Sequence, residues 1–207
     1  MSSDPTEEFR GRVEAARSEV AKARSVGIKR VLVSALKQLA NIERRIPAFR
    51  EAANRTYAEV VEIYRELDEP LELAWALRHI GINQEYDERL TEAEQYYDES
   101  LKLFRKYATE NSMNYANTVR YPAVVKNRLG KRAESKELWE EAFKRYGQLE
   151  EPVPVAEAAA WLTIFALDEQ DQATALRWFA HAESAAESAN DSDTDKFVNE
   201  VRARLQR

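Results

Sequence analysis

The sequence predicts an all-α protein built from repeated helical hairpins. Four times, a small residue is followed four positions later by an aromatic residue, and successive aromatics are 40, 42 and 40 residues apart. The chain of 207 residues has only five glycines and six prolines, and strong helix formers are abundant in it. A period of this length is typical of stacked helical repeats, in which each unit buries its apolar face against its neighbours. The four pairs are Ala53/Tyr57, Ala93/Tyr97, Ser135/Trp139 and Ala175/Phe179.

The first predicted element is an N-terminal helix over residues 6–25. Phe9, Val13 and Val20 recur there at helical spacing, and Gly27 is a suitable residue to end the helix. We expect this helix to cover the first repeat, because the ends of a repeat stack need a polar outer face.

Four helical hairpins are predicted over residues 28–188, all on one plan. In each first helix an apolar residue, large in the first three hairpins, fills the space between the paired helices, and a small residue lets them approach closely. A second small residue and then the aromatic follow on the second helix. The first-helix positions are Leu36/Ala40, Leu77/Gly81, Val119/Ala123 and Ala159/Thr163. The residues that lengthen the period are expected after each second helix, at 67–70, 109–111 and 150–152.

The first helix of the third hairpin contains Pro122. Proline removes one helical hydrogen bond and clashes with the preceding turn. We therefore expect this helix either to bend or to break near Arg120.

The last predicted element is a C-terminal capping helix over residues 193–206. It follows the polar segment 190–195, and Phe197, Val198, Val201 and Leu205 form its apolar stripe. With the eight helices of the hairpins and the N-terminal helix, ten helices are expected.

This plan resembles the tetratricopeptide repeat, whose signature is W-x2-L-G-x2-Y followed by A-x3-F. The resemblance covers residues 28–188 and is to the longer-period bacterial type, since the usual period is about 34 residues. In this chain Leu36, Leu77, Val119 and Ala159 replace the first aromatic of the signature. The resemblance implies a right-handed α-solenoid, as one domain over residues 1–207, in which the first helices line a concave groove.

The resemblance also implies which residues face a ligand. Lys37, Arg78 and Arg120 occupy the same position in three successive hairpins, so they are expected to form a row of cations open to solvent. Such a row would attract an acidic peptide, a C-terminal carboxylate or another anion. The alternative is that these are ordinary surface charges, or that they pair with nearby acids. The expected groove residues are Lys37, Asn41, Arg44, Trp75, Arg78, Tyr86, Arg120, Asn127 and Arg128. In the fourth hairpin the same family positions fall on Glu157, Ala160, Ile164, Leu167 and Asp168.

Part of the family's carboxylate clamp is also matched. Lys37 and Asn41 agree with its first half, whereas Asn117 and Tyr121 stand where its second half has basic residues. The match therefore does not predict recognition of a chaperone-type acidic tail.

The aromatic residues divide by helix. Trp75 and Tyr86 lie on a first helix, where they are either anchors for a peptide or packing contacts with the next unit. Trp139, Trp178 and Phe179 lie on second helices and are expected in the core, whereas Trp161 fits either place.

Composition excludes several classes of site. The chain has no cysteine, so it has no disulfide or thiolate metal site. No zinc-protease motif, Gly-rich phosphate loop or nucleophile elbow is present, so we expect no enzyme activity, metal or cofactor. No secretory signal and no apolar run of about 20 residues occurs, which leads us to expect a cytoplasmic protein.

These observations are compatible with three functions. We expect a protein-interaction scaffold that binds an acidic peptide or helix in the groove. The first alternative is a structural module that self-associates as a homodimer. The second is binding of RNA or polyphosphate by the basic row with Trp75 stacking, which the net charge of −6 disfavours.

Overall fold

The structure is a computed structural model that describes residues 5–207, with side chains from Phe9 onward. Over that range it consists of ten α-helices and one short 3-10 helix, without a strand, which confirms the predicted all-α class. Residues 1–4, on which the expectation about a signal sequence partly rests, lie outside the described part. The α-helices are α1 Pro5–Val26, α2 Lys29–Glu43, α3 Arg50–Glu66, α4 Pro70–Tyr86, α5 Leu90–Tyr107, α6 Met113–Arg128, α7 Arg132–Gln148, α8 Pro152–Asp168, α9 Gln172–Ala189 and α10 Ser192–Leu205, and the 3-10 helix is Pro47–Phe49.

The helices fall into two compact units. The first unit contains α1 to α5 and ends at Tyr107, and the second begins at Ala108 and contains α6 to α10. Within each unit, consecutive helices pack against each other, as expected for stacked hairpins. The organisation as a single domain stays a prediction.

The repeat positions form the core of each unit. The small residues of the second helices are completely buried, at 0% exposure, and the aromatics that follow them are at most 5% exposed. The large apolar residues of the first helices are equally well buried. The sequence plan of small and large residues is therefore confirmed as the packing plan of the helices.

The helices that flank the hairpins also bury the predicted faces. In α1, Phe9, Val13 and Val20 join the core of the first unit. In α10, Val198 and Val201 are buried against α8 and α9. The Asp191 carboxylate accepts a hydrogen bond from the Thr194 amide at 2.8 Å, which caps the start of α10.

Five turns share one backbone conformation. Each has three residues, namely 67–69, 87–89, 129–131, 149–151 and 169–171, and each central residue has a positive φ. Only one of these central residues is the glycine that this conformation favours. Because these turns are so short, helices of 17 or 18 residues take up much of the long repeat. The central residues are Asp68, Glu88, Gly130, Glu150 and Gln170.

Of the two outcomes expected for Pro122, a bend or a break near Arg120, the break does not occur, because α6 continues through Pro122 as an α-helix. Pro122 has no amide to donate to the Thr118 carbonyl one turn earlier, so one helical bond is lost. Pro122 itself is buried, and tight packing around α6 holds the helix together: Val119 and Ala123 are both fully buried.

Candidate functional site

The first unit contains an open pocket lined by one face of α2, the end of α3 and the start of α4. Its volume is about 480 Å³. Two of the sequence-predicted residues, Lys37 and Asn41, line it. The full lining consists of Arg30, Val33, Ser34, Lys37, Gln38, Asn41, Tyr64, Glu69 and Glu72.

Lys37 is the central cation of this pocket. Its Nζ donates to Glu72 Oε2 at 3.1 Å and lies 4.2 Å from the centroid of the Trp75 ring. The Tyr64 hydroxyl donates to the same Glu72 oxygen at 3.2 Å. Burial alone would lower the pKa of Lys37, but the contacts with Glu72 and Tyr64 outweigh it and raise that pKa. Lys37 is therefore held as a fixed, protonated cation.

Asn41 and Arg44 continue the polar face of α2, one and two turns further on. The Asn41 side-chain oxygen accepts hydrogen bonds from Arg44 Nε at 3.2 Å and from the Tyr57 hydroxyl at 2.9 Å. Because Tyr57 is completely buried, this network ties the surface of α2 to the core of the unit. Asn41 and Arg44 are themselves half-buried.

Trp75 packs inside the first unit and is half-buried. Its ring lies 4.1 Å from that of His79 and 6.0 Å from that of Tyr57, measured between centroids. The Lys37 ammonium group lies over the remaining accessible face of the Trp75 ring. The packing role predicted for Trp75 is therefore observed within the first unit, and its role as a peptide anchor stays a prediction.

Arg78 does not point into open solvent, so that expectation is wrong. The residue is only 4% exposed, because it lies on a turn of α4 whose flanking residues, Leu77 and Ile80, are core residues. Its positive charge acts on His79, together with the charges of Arg44 and Lys37. Burial is the largest cause and the three cations act in the same direction, and together they lower the pKa of His79 to about 3.

Tyr86 lies at the last turn of α4 and is 61% exposed. The Arg50 guanidinium lies over its ring at 5.2 Å and pairs with the Asp87 carboxylate at 2.6 Å. Tyr86 is thus an accessible aromatic surface held by a neighbouring cation.

In the second unit, Arg120 is engaged by Glu157. Its Nε and one terminal nitrogen donate to the two carboxylate oxygens at 2.6 and 2.8 Å, and both side chains are about three-quarters buried. Burial alone would lower the pKa of Arg120, but the Glu157 pair raises it above the ordinary value. Arg120 therefore presents little exposed charge, in contrast to the expected open cation.

Asn127 and Arg128 lie on the last turn of α6, half-buried and exposed respectively. The predicted core aromatics Trp139 and Phe179 are buried, at 0% and 5% exposure. Trp178 is half-buried and packs edge-on against Phe143, with ring centroids 5.1 Å apart. Trp161 is half-buried and stacks on Trp139, with 6.0 Å between their ring centroids.

Sequence reasoning missed three residues of the first-unit site, namely Glu72, Tyr64 and His79. Two ion pairs reveal a signal that could have identified Glu72: Lys37 and Arg120 each pair with an acid near the start of the next first helix, 35 and 37 residues on. An acid placed one repeat after a groove cation is thus a candidate partner. Nothing in the pattern distinguished His79 from other helix residues.

Neither a membrane span nor a metal cluster is found in residues 5–207. No helix described there is long and apolar enough to cross a bilayer. Among the side chains that the structure describes, from Phe9 onward, no three or more His, Asp or Glu residues gather as metal ligands would.

No protein-family model matches the chain, and no curated protein matches it. Solved structures do match. BtubC (BKLC) from P. vanneervenii is 17% identical, with a TM-score of 0.77 over 96% of this chain and 85% of that one. A signal-transduction ATPase with a tetratricopeptide repeat sensor from Pyrococcus horikoshii is 14% identical, with a TM-score of 0.65 over 94% of this chain and 34% of that one. A Rap protein is 18% identical, with a TM-score of 0.64 over 93% of this chain and 54% of that one.

These likenesses establish the fold. The chain has a tetratricopeptide-like, all-α repeat fold of the α-solenoid class, as the resemblance implied.

Proposed function

We propose that this tetratricopeptide-like chain is a protein-interaction scaffold that binds an acidic peptide or helix. The binding surface in the first unit is the pocket over α2 and α4. The observation that carries the proposal is the fixed cation Lys37 in an open pocket, with Asn41 beside it and the Trp75 ring beneath it. A carboxylate and an aliphatic or aromatic neighbour on a ligand would find matching contacts there.

The similar structures support a scaffold of this kind. The Rap protein was solved in complex with Competence and Sporulation Factor, and another match of the same fold is the quorum sensor NprR from B. thuringiensis. The pocket lining balances two cations, Arg30 and Lys37, with two acids, Glu69 and Glu72, so an acidic ligand would be recognised by Lys37 itself and not by an excess of positive charge.

Charge reversal at Lys37 tests the proposed function. The probe is a fluorescein-labelled peptide of alternating Glu and Ala, and binding is measured by fluorescence anisotropy at low salt. Lys37→Glu should weaken binding at least about tenfold, because a repulsive charge replaces a charge-assisted hydrogen bond.

Lys29→Glu is the matched control, since Lys29 lies on the same helix and pairs with Glu66 outside the pocket. It should bind the peptide as the wild type does. Equal affinity of the wild type and Lys37→Glu, or no binding by the wild type, would refute the proposed site. Self-association, the alternative function, stays a prediction that no contact in the structure addresses.

A further inference from the structure

The Lys37 pocket already holds a carboxylate of its own chain. Glu72 Oε2 accepts from Lys37 Nζ at 3.1 Å and from the Tyr64 hydroxyl at 3.2 Å. The Glu72 side chain comes from the first turn of α4 and is 51% exposed, whereas Lys37 is 28% exposed and covered by the rings of Trp75 and Tyr64. The cation is thus fixed, while the acid that pairs with it is at the surface.

We propose that Glu72 is an intramolecular competitor of the acidic ligand. A ligand carboxylate takes the place of the Glu72 carboxylate on Lys37, and Glu72 turns out to solvent. This inference rests on the proposed function and adds its regulation: the chain's own acid sets how strongly the pocket binds an external one.

The exchange is physically inexpensive at this position. Exposed ion pairs contribute little to stability, because water and salt screen them and both side chains lose freedom in forming the pair. Glu72 gives up one hydrogen bond from Lys37 and one from the Tyr64 hydroxyl, both of which an incoming carboxylate can accept in its place. Its release leaves no buried carboxylate unpaired, since Glu72 is already half in solvent. The contacts of Lys37 with Trp75 do not depend on Glu72, so the cation keeps its place during the exchange.

The Arg120–Glu157 pair of the second unit is an ion pair in which a ligand carboxylate could not readily replace the internal one. There both carboxylate oxygens are bound, at 2.6 and 2.8 Å, and the two side chains are 28% and 25% exposed. Separating that pair would leave the largely buried Glu157 carboxylate without its partner, which is strongly unfavourable. The two cations are equally exposed, at 28%, so the difference between the pairs lies in the acids, since Glu72 is 51% exposed. We therefore assign the exchange to Lys37 and Glu72.

The test removes the internal carboxylate and keeps its shape. Glu72→Gln is compared with the wild type for binding of the labelled Glu/Ala peptide by fluorescence anisotropy. The peptide is used with an amidated C-terminus and with a free one, which distinguishes side-chain carboxylates from a terminal carboxylate. Removal of the competitor should tighten binding about 2- to 5-fold, the range expected for one exposed ion pair.

Glu66→Gln is the matched control, because it also removes one exposed acid that pairs with a lysine of α2, but outside the pocket. It should bind the peptide as the wild type does. Tighter binding by Glu72→Gln alone supports the competitor. Equal tightening in both variants would overturn it, since a general loss of negative charge would then explain the gain.

The two proposals fail in different ways. Binding that Lys37→Glu abolishes but Glu72→Gln leaves unchanged would overturn the competitor and retain the proposed function. Binding that Lys37→Glu does not weaken would overturn both.

Discussion

The His79 imidazole lies between aromatic rings and close to three cations. Its ring stacks on Tyr57, with centroids 5.4 Å apart and an interplanar angle of 9°, and it lies against Trp75. Its Nδ1 is buried and has no hydrogen-bond partner among the described residues. Burial and the neighbouring positive charges lower the pKa of His79 to about 3, so folding holds this side chain neutral.

This depressed pKa makes stability depend on pH. In the unfolded chain His79 takes up a proton near its ordinary pKa of about 6.5, whereas in the folded chain it does so near 3. The contribution of His79 to stability is therefore complete above about pH 6.5 and is lost as the pH falls towards 3. Between pH 7 and pH 5 the wild type should lose about 2 kcal/mol of unfolding free energy through this residue.

His79→Phe keeps an aromatic ring between Tyr57 and Trp75 and removes the titration. The unfolding free energy of this variant, measured in urea, should fall between pH 7 and pH 5 by about 2 kcal/mol less than that of the wild type. The remaining ionisable groups titrate in both proteins, so the difference between the two isolates His79. Equal losses in the two proteins would show that His79 is not held neutral.

At the scale of helices, the close approach of α4 and α5 depends on Gly81. A Cβ atom at this position would lie 2.6 Å from Tyr97 Cε1 and 2.7 Å from Tyr97 Cδ1. The Tyr97 ring is completely buried, and its hydroxyl donates to Glu85 Oε2 at 2.8 Å. A ring held at both its face and its hydroxyl cannot move aside without shifting a helix.

Gly81→Ala should therefore destabilise the protein by about 1–3 kcal/mol, the usual cost of overpacking a core. Urea unfolding at neutral pH measures this change. Gly11→Ala in α1 is the control, because no atom lies within 4 Å of a Cβ built there. The control should gain about 0.5–1 kcal/mol from the better helix propensity of alanine. A gain at both positions would show that α4 and α5 do not need the glycine.

The helices and their buried faces could be predicted from the sequence because the repeat fixes which residues face the core. Ala53, Ala93 and Ser135 recur at that fixed spacing, and burial follows it. The turns were harder to predict from the sequence, because Glu88 and Gln170 have a positive φ although neither is a glycine. The left-handed conformation there is imposed by the helices on either side, which a local reading of the sequence does not contain.

The candidate site was predicted only in part, for a related reason. The family positions identify Lys37 and Asn41 as pocket residues, but they do not say which cations are already paired. Arg78 is buried because its turn of α4 also supplies core residues, and Arg120 is covered by Glu157. Pairing and burial arise from neighbouring helices, and a single-helix pattern cannot show them.

At the scale of the whole molecule, each unit is tied together by ion pairs that join successive repeats. In the first unit, Arg24, Lys29, Lys37 and Arg50 pair with acids 35 to 37 residues later. In the second unit, Asp168 accepts from Arg132 and from Arg204, which fastens α10 to the end of α8. Individually such pairs contribute little to stability, and they join the surfaces of helices that the apolar core already packs together.

Each unit also has its own hydrophobic core, so each is expected to fold by itself. The core of the first unit includes Leu36, Tyr57 and Leu77, and that of the second includes Phe179 and Val198. In repeat proteins, stability is close to a sum of contributions from units and their nearest neighbours. An intact group of helices therefore retains most of its own stability when it is separated from the rest of the chain. Fragments 1–107 and 108–207 should each give a helical circular dichroism spectrum and unfold cooperatively in urea.

A fragment cut inside a unit provides the contrast. Fragment 1–89 ends before α5 and so removes the Tyr97 ring, which packs on Gly81. It should unfold at a lower urea concentration than fragment 1–107, because the apolar face of α4 is then exposed to water. If the two fragments unfold at the same urea concentration, α5 contributes nothing to the first unit, and the boundary at Tyr107 does not mark a unit of stability. If fragment 1–107 is unfolded in buffer, the core of the first unit is insufficient without the rest of the chain.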